Sequence, residues 1–330
     1  MARWMKLATG IFISAVCLWL AFRSVSIGQV WTAAAAISSQ TILACFVLGS
    51  CALFLRSVRW RILLEASEPL PLATAFAVNS AGQMGNMILP ARLGDLFRAA
   101  NLGRAGLSTG FALATVLAER VLDAGFLVLV SASALTTFSN LPGWLTRSAF
   151  LLAIAALVGL TVTVLLPHFE NLIFELMARV APHRAQPRIT RLAAQFLSGL
   201  RSFHHAGRAS GFLFWTAVIW VLDATGILVL AHGMGIALSP TQAALVLTSI
   251  ALASVVPAAP GNLGVLQYVA VSVLVPLGAA RAQALSLALI LQVLTTTTLS
   301  VWGAGSLWFL SARTSRTVSA PASEPVRAIS

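Results

Sequence analysis

The stretch "GNMILPARLGDLFRAANLGRAG", Gly85 to Gly106, gathers one proline, four glycines, three arginines and one aspartate inside a chain that is otherwise mostly apolar. Its reading decides the fold. Pro90 lacks an N–H and breaks the apolar helix that begins near residue 71. Gly94 permits a tight turn, and Asp95 is a preferred N-cap for the helix that restarts. The stretch is then the bend of a helical hairpin, not a loop between two full spans. A second stretch repeats the order: "VPAAPGNL" (256–263) stands beside "LPARLGDL" (89–96). Pro257 answers to Pro90, Gly261 to Gly94 and Asn262 to Asp95, with Pro260 and Gly264 as further breaks.

Around these breaks the chain has the composition of a membrane protein. Of 330 residues, 58% are hydrophobic and 9% charged, against about 25% charged in a soluble domain. Apolar runs near 20 residues read as spans. The formal charge of +12 comes from arginines clustered between apolar runs. That pattern fits the positive-inside rule and contact with anionic headgroups, and no nucleic-acid signature accompanies it. Cys17, Cys45 and Cys51 lie in apolar runs and the five histidines form no cluster, so no metal is expected.

The runs give six full spans at about 7–22, 40–55, 108–136, 148–166, 211–231 and 283–310, with an amphipathic segment near 27–38. The first reads as an uncleaved span, because no small-x-small cleavage site follows it. Residues 1–311 form one membrane domain, and 312–330 a polar, Ser/Pro-rich disordered tail. With the N-terminus inside, "RSVRWR" (Arg56 to Arg61) marks a cytoplasmic edge, and the basic segment 167–210 is a cytoplasmic or interfacial helical hairpin. Both termini are cytoplasmic. Residues 71–106 and 241–277 must then re-enter from opposite faces, the pattern of an inverted repeat around a midplane site. Non-helical backbone at that depth needs protein or water over it.

Four of nine acidic residues fall inside apolar segments: Asp95, Glu119, Asp123 and Asp223. In "LAERVLDAG" Glu119 and Asp123 are four apart, on one helix face, with Arg120 adjacent. Carboxylates in hydrocarbon need a cation or a proton. Arg92, Arg98 and Arg120 are the candidate partners. Three readings stay open: an internal ion-pair network fastening the hairpin, a headgroup or proton-coupling site, or a solvated face near the cytoplasmic end. Arg92 and Arg98 are equally divided between phosphate binding, for which guanidinium is suited, and internal pairing. Asp223 reads as a cap or hydrogen-bond partner of the second hairpin, with a proton acceptor as the second reading. Because the second break has no arginine, an anion is expected against the first. No catalytic constellation is present: there is no nucleophile elbow, Asp-rich metal motif or Gly-x-Gly-x-x-Gly after a strand.

Four motifs together carry a resemblance: "RW" (Arg59–Trp60), "GNMILPARLGDLFRA", "ATVLAERVLD" and "VPAAPGNLGVLQ". Over about residues 5–310 the chain resembles the lysylphosphatidylglycerol synthase transmembrane family, the flippase-like domain proteins. The resemblance implies a membrane domain that moves a phospholipid between leaflets. Two departures qualify it. The chain carries no aminoacyl-transferase domain, so lipid aminoacylation is not expected. Gln267 stands where the family typically has Glu, which puts any role of that carboxylate in doubt.

The expectation is therefore an all-α polytopic protein of a bacterial inner membrane with two re-entrant hairpins. It is not an enzyme and needs no cofactor. Its partners are the membrane and an anionic phospholipid or polyprenyl-phosphate-linked lipid, with a homodimer open. The alternative is a non-transporting partner of a lipid-modifying or glycosyl-transferring enzyme; a lipid-linked transferase ranks below both.

Overall fold

The computed structural model describes residues 2–67, 69–89, 93–104, 107–137, 143–180, 186–254 and 258–318, and the regular structure among them is helical throughout. The all-α expectation holds. In order the helices are α1 (Ala2–Phe22), α2 (Ile27–Ala35), α3 (Ser39–Leu64), α4 (Leu72–Ile88), α5 (Leu93–Arg104), α6 (Thr109–Thr137), α7 (Gly143–Leu165), α8 (Glu170–Val180), α9 (Gln186–Arg201), α10 (Ala206–Gly233), α11 (Pro240–Ala253), α12 (Val265–Leu274) and α13 (Arg281–Val318). Local chemistry sets several starts. Ser26 and Ser239 accept the Gln29 and Gln242 N–H groups, and those glutamine side chains accept in return from the serine N–H groups.

Four stretches are long and apolar enough to cross a membrane: Ser39–Leu64, Ala153–Met177, Ala206–Gly233 and Arg281–Arg313. A fifth exists if Thr9–Phe22 and Ile27–Ala35, bent by 78°, count as one. The expected six include α6, which at 29 residues is long enough but carries Glu119, Arg120 and Asp123 midway. The fourth span, read at 148–166, coincides with α7 to within a residue at its end, and the helical course continues through Pro167 toward Met177. That proline sits in the first turn of a 3-10 segment, Leu166–Phe169, where its missing N–H costs little. α13 likewise runs through Val318, past the boundary read at 311; residues 319–330 lie outside the described ones.

The remaining apolar helices are too short to cross alone and pair instead. α4 and α5 have 17 and 12 residues, against the roughly 20 a span needs. They pack antiparallel: Asn86 meets Asp95, Gly85 faces Gly94, and Gly82 faces Arg98. A Cβ on Gly94 would run into the Gly82 carbonyl and the Asn86 backbone nitrogen, so the hairpin closes only with glycine there. α11 and α12, of 14 and 10 residues, pack together around the 3-10 turn Pro260–Asn262, and that turn packs against α4.

One apolar core joins α10, α11, α12 and α13 through Ile227, Leu230, Val246, Ala270, Leu274 and Leu285. Another gathers Trp60, Val78, Leu102 and Phe111 from α3, α4, α5 and α6. α10 lies antiparallel to α3: the Cys45 thiol points to the Gly226 carbonyl near one end, and Arg59 reaches Thr216 toward the other. α9 lies on the start of α6, with Gly199 against Ala114 and Phe111. The helical hairpin expected within 167–210 is thus present as α8 and α9.

Candidate functional site

Charge collects where α3, α5, α6 and α10 meet. α6 supplies Glu119 and Asp123 from one face, as the four-residue spacing requires. α3 supplies Arg59, only 2% exposed. Its guanidinium donates to Glu119 Oε1 at 2.6 Å, to Asp123 Oδ1 at 2.6 Å and Oδ2 at 3.1 Å, and to Thr216 Oγ1 at 3.0 Å. It also lies 4.6 Å over the Phe212 ring. α5 supplies Arg98, which is fully buried and donates to Glu119 Oε2 at 2.9 Å. Its guanidinium stacks 4.0 Å over Trp60, whose indole N–H is held by Thr115 at 3.2 Å. Glu119 is therefore bridged on both oxygens by two arginines from different helices.

Asp95 forms the second node. Arg120 donates to its two oxygens at 3.2 and 3.0 Å, the Asn86 amide donates at 2.9 Å, and Arg98 stands 3.6 Å away. Arg56 meets Asp223 at 2.5 Å. Four cations (Arg56, Arg59, Arg98, Arg120) thus face four carboxylates (Asp95, Glu119, Asp123, Asp223), and the described cluster is formally neutral. Neutrality matters because each lone charge in a low-dielectric interior costs several kcal/mol, on the order of what a pair recovers.

Several sequence readings change on this geometry. Asp95 does not cap α5. The helix already begins at Leu93, so Asp95 lies in its first turn and turns its carboxylate to Arg120. Asn262 does not cap α12 either. It belongs to the 3-10 turn with φ 56°, between Gly261 (φ 72°) and Gly264 (φ 88°), and Gly264 is the N-cap. Asp223 pairs with α3 rather than with the second hairpin, because it faces Arg56 across the α3–α10 contact. Glu119 takes Arg98 from the expected set, while Arg120 turns to Asp95. Pro90, Arg92 and Pro257 lie outside the described residues. Gln267 is fully buried at the start of α12, where its side-chain oxygen accepts the Gly264 N–H at 2.6 Å. No group of three or more His, Cys, Asp or Glu placed to hold a metal occurs among the described residues.

The residues that sequence reasoning missed are Arg56 and Arg59. It set them with Arg61 at a cytoplasmic edge, but only Arg61 behaves so, pairing with Glu65 near the exposed end of its own helix. The one signal was the count: four intramembrane carboxylates demand as many cations, but the spacing of Arg56, Arg59 and Arg61 does not say which of them turn inward.

A family model described as "Lysylphosphatidylglycerol synthase TM region" matches residues 7–303. No curated protein gives a match.

Proposed function

The chain belongs to the lysylphosphatidylglycerol synthase TM region family, and from that premise we propose that it moves a phospholipid or lipid-linked intermediate between leaflets. The path runs between the α4–α5 and α11–α12 hairpins, and the protein acts without catalysing a covalent step. The observation that carries the reading is the packing of the second hairpin's turn against α4, beside an ion-pair cluster that holds α5 to α6 and α3. Half-helices that stop short of a full crossing are tolerated where protein or a water-filled path covers their ends. The lipid is anionic, a phospholipid or a polyprenyl-phosphate carrier.

The chain is a multi-pass membrane protein, and we place it in a bacterial inner membrane with both termini cytoplasmic. Support comes from where the arginines fall. Arg188, Arg191 and Arg201 lie on α9, which packs on the start of α6; Trp60, near the end of α3 where Arg61 lies, bonds Thr115 of that same helix. Arg313 reaches Thr74 in the first turn of α4. The opposite end holds Arg281, bonded to the Leu20 carbonyl, near Arg23. An excess of arginine at one end is the positive-inside signature.

The test is reconstitution in liposomes bearing a fluorescent phosphatidylglycerol in the outer leaflet. Faster gain of protection from an external quencher than in protein-free liposomes is expected; equal rates with every phospholipid and polyprenyl phosphate tried would sink the proposal. A second reading, a non-transporting scaffold for a lipid-modifying enzyme, draws on the same cluster. A neutral, mutually paired set is also what a passive clamp requires. Co-purification of such an enzyme with a chain inactive in the liposome assay would select it.

A further inference from the structure

We propose that the N-terminal end of α12, at the second hairpin, binds a phosphate oxygen through the Gln267 side-chain amide and the first-turn N–H groups. Gln267 is fully buried, and its Nε2 has no hydrogen-bond partner among the described residues. Its orientation is fixed: Oε1 must face the Gly264 N–H that it accepts at 2.6 Å, which leaves Nε2 as a donor at the mouth of the helix. A buried amide donor without an acceptor carries a desolvation cost that a ligand oxygen would relieve. Tyr268 makes the first intrahelical bond, to the Gly264 carbonyl at 2.9 Å. The N–H groups of Val265, Leu266 and Gln267 precede it and have no helical acceptor.

The charge pattern separates this helix end from its counterpart. No Asp, Glu, Lys or Arg occurs between Gly233 and Arg281, so nothing within the second hairpin neutralises the positive end of α12. At the first hairpin that role is filled. Asp95 puts a carboxylate in the first turn of α5, and Asn86 Oδ1 accepts the Asp95 N–H at 3.1 Å. Arg98 and Arg120 there are already paired to Glu119 and Asp95. The preference for an anion therefore moves from the arginine-bearing hairpin to the uncharged one.

The turn that leads to the site supports the assignment. Gly261, Asn262 and Gly264 all take positive φ, and the Asn262 N–H is bonded to the Ala259 carbonyl at 2.9 Å, so the turn has one defined course. Ser14 Oγ satisfies the Ala259 N–H at 2.8 Å, fixing the turn against α1. Pro260 and Leu263 are exposed, so the turn reaches the surface. The ligand chemistry is a phosphate oxygen, from the ester phosphate of a lipid headgroup or from inorganic phosphate. The site rests on the transport reading only if the phosphate belongs to a lipid.

The experiment is native mass spectrometry of the full chain in a phosphate-free maltoside detergent, with three probes: phosphatidylglycerol, diacylglycerol with the same tails, and inorganic phosphate. Gln267→Glu keeps the oxygen that accepts from Gly264, and with it the helix start, but exchanges the donor for a negative charge. Phosphatidylglycerol bound in preference to diacylglycerol, and weakened at least about tenfold in Gln267→Glu, establishes a lipid phosphate site. Inorganic phosphate showing that dependence without the lipid establishes a free-phosphate site. Equal binding of the two lipids with no phosphate binding by the unmodified chain overturns the site, whatever the variant does. Gln267→Glu binding as tightly as the unmodified chain overturns it too. Leaflet exchange is read separately on the unmodified chain. Gln267-dependent binding without exchange sinks transport alone, and exchange with Gln267-independent binding sinks the site alone.

Discussion

Glu119 is the residue on which the charge cluster turns. It is 2% exposed and carries one arginine on each oxygen. Replacing it with leucine leaves Arg59 with Asp123 and leaves Arg98 with only the 3.6 Å approach of Asp95. A stability loss of about 3–5 kcal/mol is expected, the usual cost of stripping one partner from a buried pair. Thermal unfolding in detergent would measure it. Adding Arg98→Met to Glu119→Leu removes the stranded cation, so the double variant should be more stable than Glu119→Leu alone. If the two losses simply add, the pairing is not what holds α5. Asp223→Asn belongs to the same cluster but sits where both partners keep some exposure, 30% for Arg56 and 22% for Asp223. Its cost should therefore be smaller, about 1 kcal/mol, by the same measurement. The carboxylates were legible in the sequence because a charge in an apolar run stands out. Of their partners Arg98 and Arg120 were legible as well, but Arg56 and Arg59 were not. Arg59 is indistinguishable by spacing from a membrane-edge arginine such as Arg61, and only the crossing of α3 with α6 turns one inward and leaves the other out.

Among the elements, the α4–α5 hairpin depends on a close approach of backbones. Gly82 and Gly85 on α4 meet Gly94 on α5, and any side chain at Gly94 collides with main-chain atoms that cannot rotate away. Gly94→Val should cost at the upper end of the about 1–3 kcal/mol typical of overpacking. It should also open the hairpin, which limited proteolysis near residue 90 would register as faster cleavage. An unchanged digestion pattern would mean that the two helices are not apposed through Gly94. The existence of this hairpin was readable from Pro90 and Gly94, since both residue types break a helix by local sterics. How the second helix starts was not. Asp and Asn are good caps wherever they stand, but the cap position is set by where the turn releases the chain. That point falls before Leu93 in one hairpin and at Gly264 in the other. The two hairpins share a plan of helix, break and helix, yet their restarted helices are satisfied differently, by Asn86 and Arg120 at Asp95 in one and by Gln267 at Gly264 in the other.

At the scale of the whole molecule, the ends can be told apart by labelling. Ser198 on α9 and Ala280 just before α13 are both exposed, and they lie at the arginine-rich and arginine-poor ends. In intact cells, Ala280→Cys should react with a membrane-impermeant maleimide and Ser198→Cys only after lysis. Labelling of both from outside would refute the orientation proposed above. Length bears on mechanics as well. α13 has 38 residues, about 57 Å at 1.5 Å per residue, well beyond the roughly 30 Å of a hydrocarbon core. Along that length it packs on α12 near its start and on α4 further on, where Gly303 lies against Met84. Both hairpins therefore lean on one stiff rod. A tilt of that rod displaces the two contacts together, as a lever moves both its arms, so neither hairpin can shift far without loading the other.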